Sequence, residues 1–293
     1  MPTSSSRHRP SGRTTPLTAV ALALLVVAFL AGCSSDDDAS GTTTTAKAST
    51  STTAAPKELT ILVTNDDGVK APGIDALVTA LTKLPDTKVI VSAPASDQSG
   101  SGGKTTPGTL SAGPSTTASG YPATSVIGYP ADSVDWALDG GIPEHPQLVV
   151  SGINSGQNIG KLIELSGTVG AARAASSKGV PALAVSAGFA STIDFSTAAK
   201  LAVDWVQAHR ADILAGKMAT TPAPVANLNV PTCSAGTVHG VVDATVDTTS
   251  QVPVAPVDCT VTAGAVAPST DIAAFAAGYA PLSVVTVTAG AGG

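Results

Sequence analysis

Asn65-Asp66-Asp67-Gly68 sets two carboxylates side by side, directly after the apolar run Leu59-Thr60-Ile61-Leu62-Val63-Thr64. Like charges a few ångströms apart raise each other's pKa, and a divalent cation relieves that repulsion. No His or Cys stands beside them, so the donors are all oxygen, which points to one hard ion, Mg2+ or Mn2+. The same four residues are also good turn chemistry, with one Asp free to cap the helix that follows. Other loops shift the balance toward a site. Ser99, in Ser96-Asp97-Gln98-Ser99-Gly100, and Asn154, in Ser151-Gly152-Ile153-Asn154-Ser155-Gly156, each offer a neutral oxygen to the same ion. Ser166-Gly167-Thr168 opens a helix, where free backbone N–H groups and the helix dipole favour a phosphate. Lys104 is either a helper for that phosphate or a solvated loop charge.

Metal-assisted hydrolysis of a phosphate ester is the chemistry such a set supports. A water would attack in line, with Asp66 or Asp67 orienting it or accepting its proton. No covalent nucleophile is indicated. The four histidines are dispersed (His8, His145, His209 and His239), and no local motif supports a Ser–His triad.

The elements that must position these residues alternate. Strand-like runs at Leu59-Thr64, Val89-Ile90-Val91, Gln147-Leu148-Val149-Val150 and Ala182-Leu183-Ala184-Val185 are separated by helical patterns over 72–84, 130–138 and 167–178, with another over 195–209. This predicts an α/β fold, a Rossmann-like parallel sheet covered by helices on both faces. In such sheets ligands bind beyond the carboxyl ends of the strands. Asp66-Asp67, the Ser/Gly-rich loop 95–106 and Asn154 all follow strands, so they converge on one edge. After Thr220 the pattern changes, and 227–230 and 282–287 read as strands of an appended β-rich or oligomerisation section.

Composition bounds the rest. The chain has 293 residues, 43% hydrophobic and 12% charged, enough for one large or two small domains. The net charge of -6 argues against DNA or RNA as a large-area partner, whereas a small phosphate ester can bind beside a cation. Arg7, His8, Arg9 and Arg13 precede a short apolar run that ends in Leu30-Ala31-Gly32-Cys33. Residues 1–32 thus read as a signal peptide, with Cys33 in a lipobox-like position for lipid attachment. The alternative is an ordinary secretory signal with an incidental Cys. The Ser/Thr-rich tract 33–57, with Asp36-Asp37-Asp38, lacks the apolar residues to fold and reads as a linker to a domain over 58–289. The expectation is an exported protein, lipid-anchored on the outer face of the bacterial cell membrane. In that oxidising compartment Cys233 and Cys259 read as a disulfide, with two free buried thiols as the alternative.

With these motifs in place, the chain resembles a known family. Ile61-Leu62-Val63-Thr64-Asn65-Asp66-Asp67-Gly68, followed by Ala71-Pro72-Gly73-Ile74, is similar to the opening signature of the SurE nucleotidases, the stationary-phase survival phosphatases. The similarity continues through Ser99-Gly100, Tyr129-Pro130-Ala131-Asp132, Val150-Ser151-Gly152-Ile153-Asn154 and Ser166-Gly167-Thr168-Val169, with weaker echoes at Asn227-Leu228-Asn229 and Gly278-Tyr279. The resemblance implies a Rossmann-like domain, a divalent metal, hydrolysis of nucleoside monophosphates, and a homodimer or homotetramer built with the C-terminal part. Carried over by position, the implied metal ligands are Asp66, Asp67, Ser99 and Asn154. The loop Ser101-Gly102-Gly103-Lys104 and the section 216–270 depart from the pattern, which bears on substrate choice and assembly. A short-polyphosphate hydrolase and a non-catalytic lipid-anchored binding protein are the competing readings. Haloacid-dehalogenase-type chemistry is disfavoured, because it wants Asp-x-Asp and here the two are adjacent.

Overall fold

The first strand, β1 (Leu59–Thr64), is buried on both faces, with Leu59, Ile61 and Val63 in one core and Leu62 in another. Each such side chain contributes roughly 1.5–3 kcal/mol on leaving water. This two-sided burial puts β1 at the middle of the molecule. The computed structural model describes residues 58–261 and 268–287. The leader 1–32, Cys33 with its expected lipid, the tract 33–57 and positions 288–289 of the expected domain lie outside the described residues.

After β1 come α1 (Pro72–Leu81), β2 (Thr87–Pro94), β3 (Ser111–Thr116), β4 (Pro122–Ile127), α2 (Pro130–Trp136) and β5 (Leu148–Ser155). Then follow α3 (Gly167–Ser177), β6 (Ala182–Ala187), α4 (Phe195–Leu214), β7 (Val225–Val230), β8 (Cys233–Gly236) and β9 (Val241–Asp243). The order closes with β10 (Val257–Cys259), α5 (Asp271–Ala276) and β11 (Ala280–Val285). Nine strands form one sheet in the order β3-β4-β2-β1-β5-β6-β7-β11-β9. From β4 to β7 all neighbours are parallel, β3 runs antiparallel to β4, and β11 runs antiparallel to β7 but parallel to β9. Helices α1 and α4 bury Ile74, Leu77, Leu81, Trp205 and Val206 on one face. On the other face α2 and α3 bury Val134, Val169, Ala171, Ala172 and Ala175. The predicted layered α/β architecture is therefore the observed one.

Several expectations need correction. The helix predicted over 72–84 ends at Leu81, where the Thr82 hydroxyl turns back to the Val78 carbonyl at 2.9 Å. The pattern over 130–138 breaks after Trp136 into a wider turn, Ala137–Gly141, in which Gly140 has φ 104°. Helix α4 runs on to Leu214 instead of stopping at His209. The Ser/Thr/Gly-rich stretch around 108–121 carries strand β3, paired in a hairpin with β4. Most importantly, the section after Thr220 is no appendage. β7 continues the parallel sheet beside β6, and β11 closes onto β7, because Val225, Leu228, Val230 and Val285 fill the same two cores. Only β8 and β10 form a separate pair, and there a disulfide joins Cys233 to Cys259.

Candidate active site

Asp66 and Asp67 stand where the sheet delivers them, just past the carboxyl end of β1. Two further segments meet them there. The loop after β2 is tied to β1, since the Asp66 carbonyl accepts the Gln98 N–H at 2.8 Å. Its far end is pinned to α2, where buried Asp132 accepts both the Thr106 N–H at 2.9 Å and the Thr106 hydroxyl at 2.6 Å. Between these anchors it crosses α3 at Gly170. A β-carbon on Gly170 would stand 2.0 Å from the Gly102 carbonyl oxygen, so only glycine permits the crossing. The second is the end of β5, whose pairing with β6 shifts register between Ser151 and Asn154. Such an irregularity re-aims the side chains that follow, which here are Asn154 and Ser155.

Each carboxylate has its own partners. Asp66, only 3% exposed, accepts the Thr168 hydroxyl at 2.7 Å on Oδ1. Burial pushes its pKa up to about 6, the Thr168 bond opposes that rise, and the neighbouring Asp67 charge adds to it. Asp67 is half-buried, and its Oδ2 accepts the Ser155 N–H at 3.1 Å and the Ser155 hydroxyl at 3.3 Å. Its pKa is also raised, by burial first, against the Ser155 bonds and with a contribution from the Asp97 charge. Both groups are thus held in a place that disfavours their ionised forms, a cost that a bound cation would relieve.

The remaining predicted ligands are neutral. Asn154 donates Nδ2 to the Gly156 carbonyl at 2.7 Å, which fixes the amide and leaves its Oδ1 an acceptor with no donor among the described residues. Ser99 is exposed and donates its hydroxyl to Asp97 at 2.6 Å, keeping its oxygen lone pairs for a ligand role. Among the described residues no group of three or more His, Cys, Asp or Glu could by itself hold a metal ion. The donor set is two carboxylates with amide and hydroxyl oxygens, which fits a hard divalent cation. The buried Asn65 Oδ1, unpartnered among the described residues, adds another oxygen next to Asp66.

The predicted phosphate-binding residues divide. Ser166 caps α3, its hydroxyl accepting the Val169 N–H at 3.1 Å. Thr168 spends its hydroxyl on Asp66, so its side chain positions a carboxylate. Gly167 leaves no room for a side chain beside the carboxylate. A β-carbon there would lie 2.8 Å from Asp66 Cβ, 2.8 Å from Ser101 Oγ and 3.0 Å from Asp66 Oδ2. Lys104 is exposed on the loop, its backbone N–H bonded to the Ser101 carbonyl.

Sequence reasoning missed several members. Ser101 is 7% exposed, its buried Oγ has no partner among the described residues, and it lies at the start of α3 beside Asp66. Behind Thr168 stands a network of asparagines. Asn158 donates Nδ2 to Ser186 at 2.9 Å and, at 3.4 Å, to Thr168 Oγ1. Its carbonyl accepts from Asn227 at 2.9 Å and Asn229 at 3.2 Å. The spacing of Asn227 and Asn229, two apart in an apolar strand, was the available signal, since it puts both on one buried face. Asp271 is fully buried and accepts the Gly160 and Asp247 N–H groups at 2.8 and 2.9 Å, tying the C-terminal part to the loop after β5.

Fold and site together define a doubly wound α/β protein with an all-oxygen carboxylate centre at the strand carboxyl ends. The family profile described as Survival protein SurE matches residues 61–252, and the chain belongs to that family. It is 37% identical over 196 residues to a 5'-nucleotidase SurE of Symbiobacterium thermophilum, covering 62% of this chain and 69% of that one. A 5'-nucleotidase SurE of Coxiella burnetii is 38% identical over 177 residues, with 60% of this chain and 64% of that one matched. The chain therefore spans roughly two thirds of the length of these curated relatives. The crystal structure of the SurE protein from Aquifex aeolicus superposes with a TM-score of 0.62 at 28% identity, covering 78% of this chain and 94% of that one.

Proposed function

We propose that this chain is a divalent-metal-dependent phosphomonoesterase that hydrolyses nucleoside monophosphates outside the cytoplasm. The observation that carries this reading is the adjacent pair Asp66 and Asp67, each raised in pKa and each locked by a separate element. Membership of a family whose curated relatives are named 5'-nucleotidases supports the substrate class.

Asp66, Asp67, Ser99 and Asn154 are the residues that would hold Mg2+ or Mn2+. When bound, such an ion supplies positive charge to phosphoryl oxygens and lowers the pKa of a water. The chain's own groups do the rest. Thr168 keeps Asp66 pointing into the site. Ser155 holds Asp67 by Oδ2, so the other oxygen is the one to take a proton from the attacking water. The first N–H groups of α3, at Gly167 and Thr168, and the unpartnered Ser101 hydroxyl are donors for phosphoryl oxygens. The same helix end stabilises the Asp66 carboxylate.

The lipobox-like Leu30-Ala31-Gly32-Cys33 supports a lipid anchor at Cys33, on the outer face of the membrane. Exposed Val241 and Val284 at the β11-β9 end of the sheet support assembly with a second copy of the chain.

The test is phosphate release by the purified full chain from AMP, other nucleoside monophosphates, p-nitrophenyl phosphate and short polyphosphate, with Mg2+, Mn2+ or EDTA. Release from nucleotides that EDTA abolishes is expected. Absence of metal-dependent release from every ester would overturn the reading, and release from polyphosphate alone would reassign the substrate. Incorporation of labelled lipid that persists in Cys33→Ala would refute the anchor.

A further inference from the structure

Among the large apolar side chains that the described residues leave exposed, Phe189 is the one aromatic ring. It is 42% exposed and stands two residues beyond the carboxyl end of β6, on the same edge of the sheet as the carboxylates. A single exposed apolar side chain needs no explanation by itself. This one differs, because ring and backbone are both fixed in place.

The ring rests on bare main chain. A β-carbon on Gly156 would come within 2.3 and 2.5 Å of the ring's edge atoms, so the glycine makes the seat. The Phe189 N–H donates to Gln157 Oε1 at 2.9 Å, and Gln157, only 2% exposed, also donates Nε2 to the Pro253 carbonyl. Gly156 and Gln157 belong to the segment that builds the metal site. The Gly156 carbonyl accepts Asn154 Nδ2, and the preceding Ser155 holds Asp67. Four consecutive residues therefore carry a ligand of the proposed cation at one end and the mooring of the ring at the other.

We propose that the open face of Phe189 is the platform on which the base of a nucleoside monophosphate stacks while its phosphate lies over Asp66 and Asp67. The inference rests on the nucleotidase reading for the identity of the ester, and it adds how the substrate is chosen. The groups around the carboxylates are hydroxyls, amides and backbone, which recognise a phosphate and give an aromatic base nothing to lie on. A pre-set ring removes the need to order a mobile side chain on binding. Stacking tolerates any base, because each has a π face. The site should therefore distinguish weakly among bases and strongly against sugar phosphates that lack one.

The test compares wild type, Phe189→Ala and Phe189→Trp as full chains. The first measurement is the ratio of kcat/KM for AMP to that for ribose 5-phosphate, with Mg2+ present. Loss of the stacking surface should lower that ratio about tenfold in Phe189→Ala, chiefly through KM for AMP, and Phe189→Trp should restore it. A ratio unchanged in Phe189→Ala would overturn the proposal. The second measurement is adenosine binding in EDTA by calorimetry, where turnover plays no part. Weaker binding by Phe189→Ala than by wild type supports the platform, and equal binding, or none by wild type, overturns it. Should wild type release no phosphate from any ester, the nucleotidase reading fails, while the adenosine titration still decides the role of the ring.

Discussion

Thr168 donates its hydroxyl to Asp66 Oδ1 at 2.7 Å, joining the first turn of α3 to the end of β1 across 102 residues of chain. Both residues are buried, and this bond is the largest influence holding the Asp66 pKa down against burial. Thr168→Val keeps the volume and removes the donor. The expected result is a roughly 10–100-fold loss of metal affinity, as for other residues that orient ligands. Titration with Mn2+ checks it, with an unchanged far-UV CD spectrum as the control for folding.

Asp66 also links the site to stability. Its carboxyl is raised from 3.8 to about 6 by burial, so the folded state holds a proton that the unfolded state has already released between those values. Metal-free wild type should lose stability as pH rises from about 4 to about 6, and Asp66→Asn should lose less, since only the burial of Asp67 still contributes at this site. At neutral pH in EDTA the variant is expected to be more stable, by on the order of 2 kcal/mol. Added Mg2+ should reverse that order by stabilising wild type alone. Thermal melts of both proteins across this pH range, with and without Mg2+, provide the comparison.

Gly167→Ala tests how tightly the site is closed. Its β-carbon would enter the space 2.8 Å from both Asp66 Cβ and Ser101 Oγ, and the first of these belongs to a side chain locked by Thr168. A displacement of about 1 Å in such a centre costs about 100-fold in rate. Activity should fall far more than stability does, as read from phosphate release and melting temperature on the same sample.

Asp271→Ala addresses the C-terminal part. It removes the acceptor for the N–H groups of Gly160, Asp247 and Ile272 in a fully buried place. Leaving such donors unpaired costs about 1–3 kcal/mol each, so a loss of about 3 kcal/mol in urea unfolding is expected. If α5 and β11 were a loosely attached section, the variant would melt as wild type does.

The central layers were legible because their signals are local. Ile74, Leu77, Val78 and Leu81 fall at helical spacing, and β1 is apolar without interruption, so burial on two faces follows from residue type. The β3-β4 hairpin was not legible. Its strands are exposed or half-buried along nearly their whole length, and Ser111–Thr116 carries no apolar alternation to mark it. The place of β7 and β11 was lost for a different reason. Both read as strands, but their membership of the main sheet is set by long-range pairing of β7 with β6 and of β11 with β7, which no local pattern encodes.

The site divides in the same way. Asp66, Asp67 and Ser99 follow strands and Asn154 lies at the carboxyl end of β5, and strand order alone puts them on one edge. Thr168 looked like a phosphate ligand because it starts a helix. Which anion meets that helix end depends on how α3 packs across the sheet, and the nearest one is the protein's own Asp66. Ser101 escaped notice because its burial depends on Gly170 admitting the loop, a contact between distant residues.

The most direct measurement of the central claim, that these four residues make one cation site, is calorimetric titration of the metal-free full chain with Mn2+. Asp67→Asn and Asn154→Ala are titrated alongside wild type. The account predicts a single binding event in wild type, abolished in Asp67→Asn and weakened about tenfold or more in Asn154→Ala. Undiminished Mn2+ binding in Asp67→Asn would contradict it.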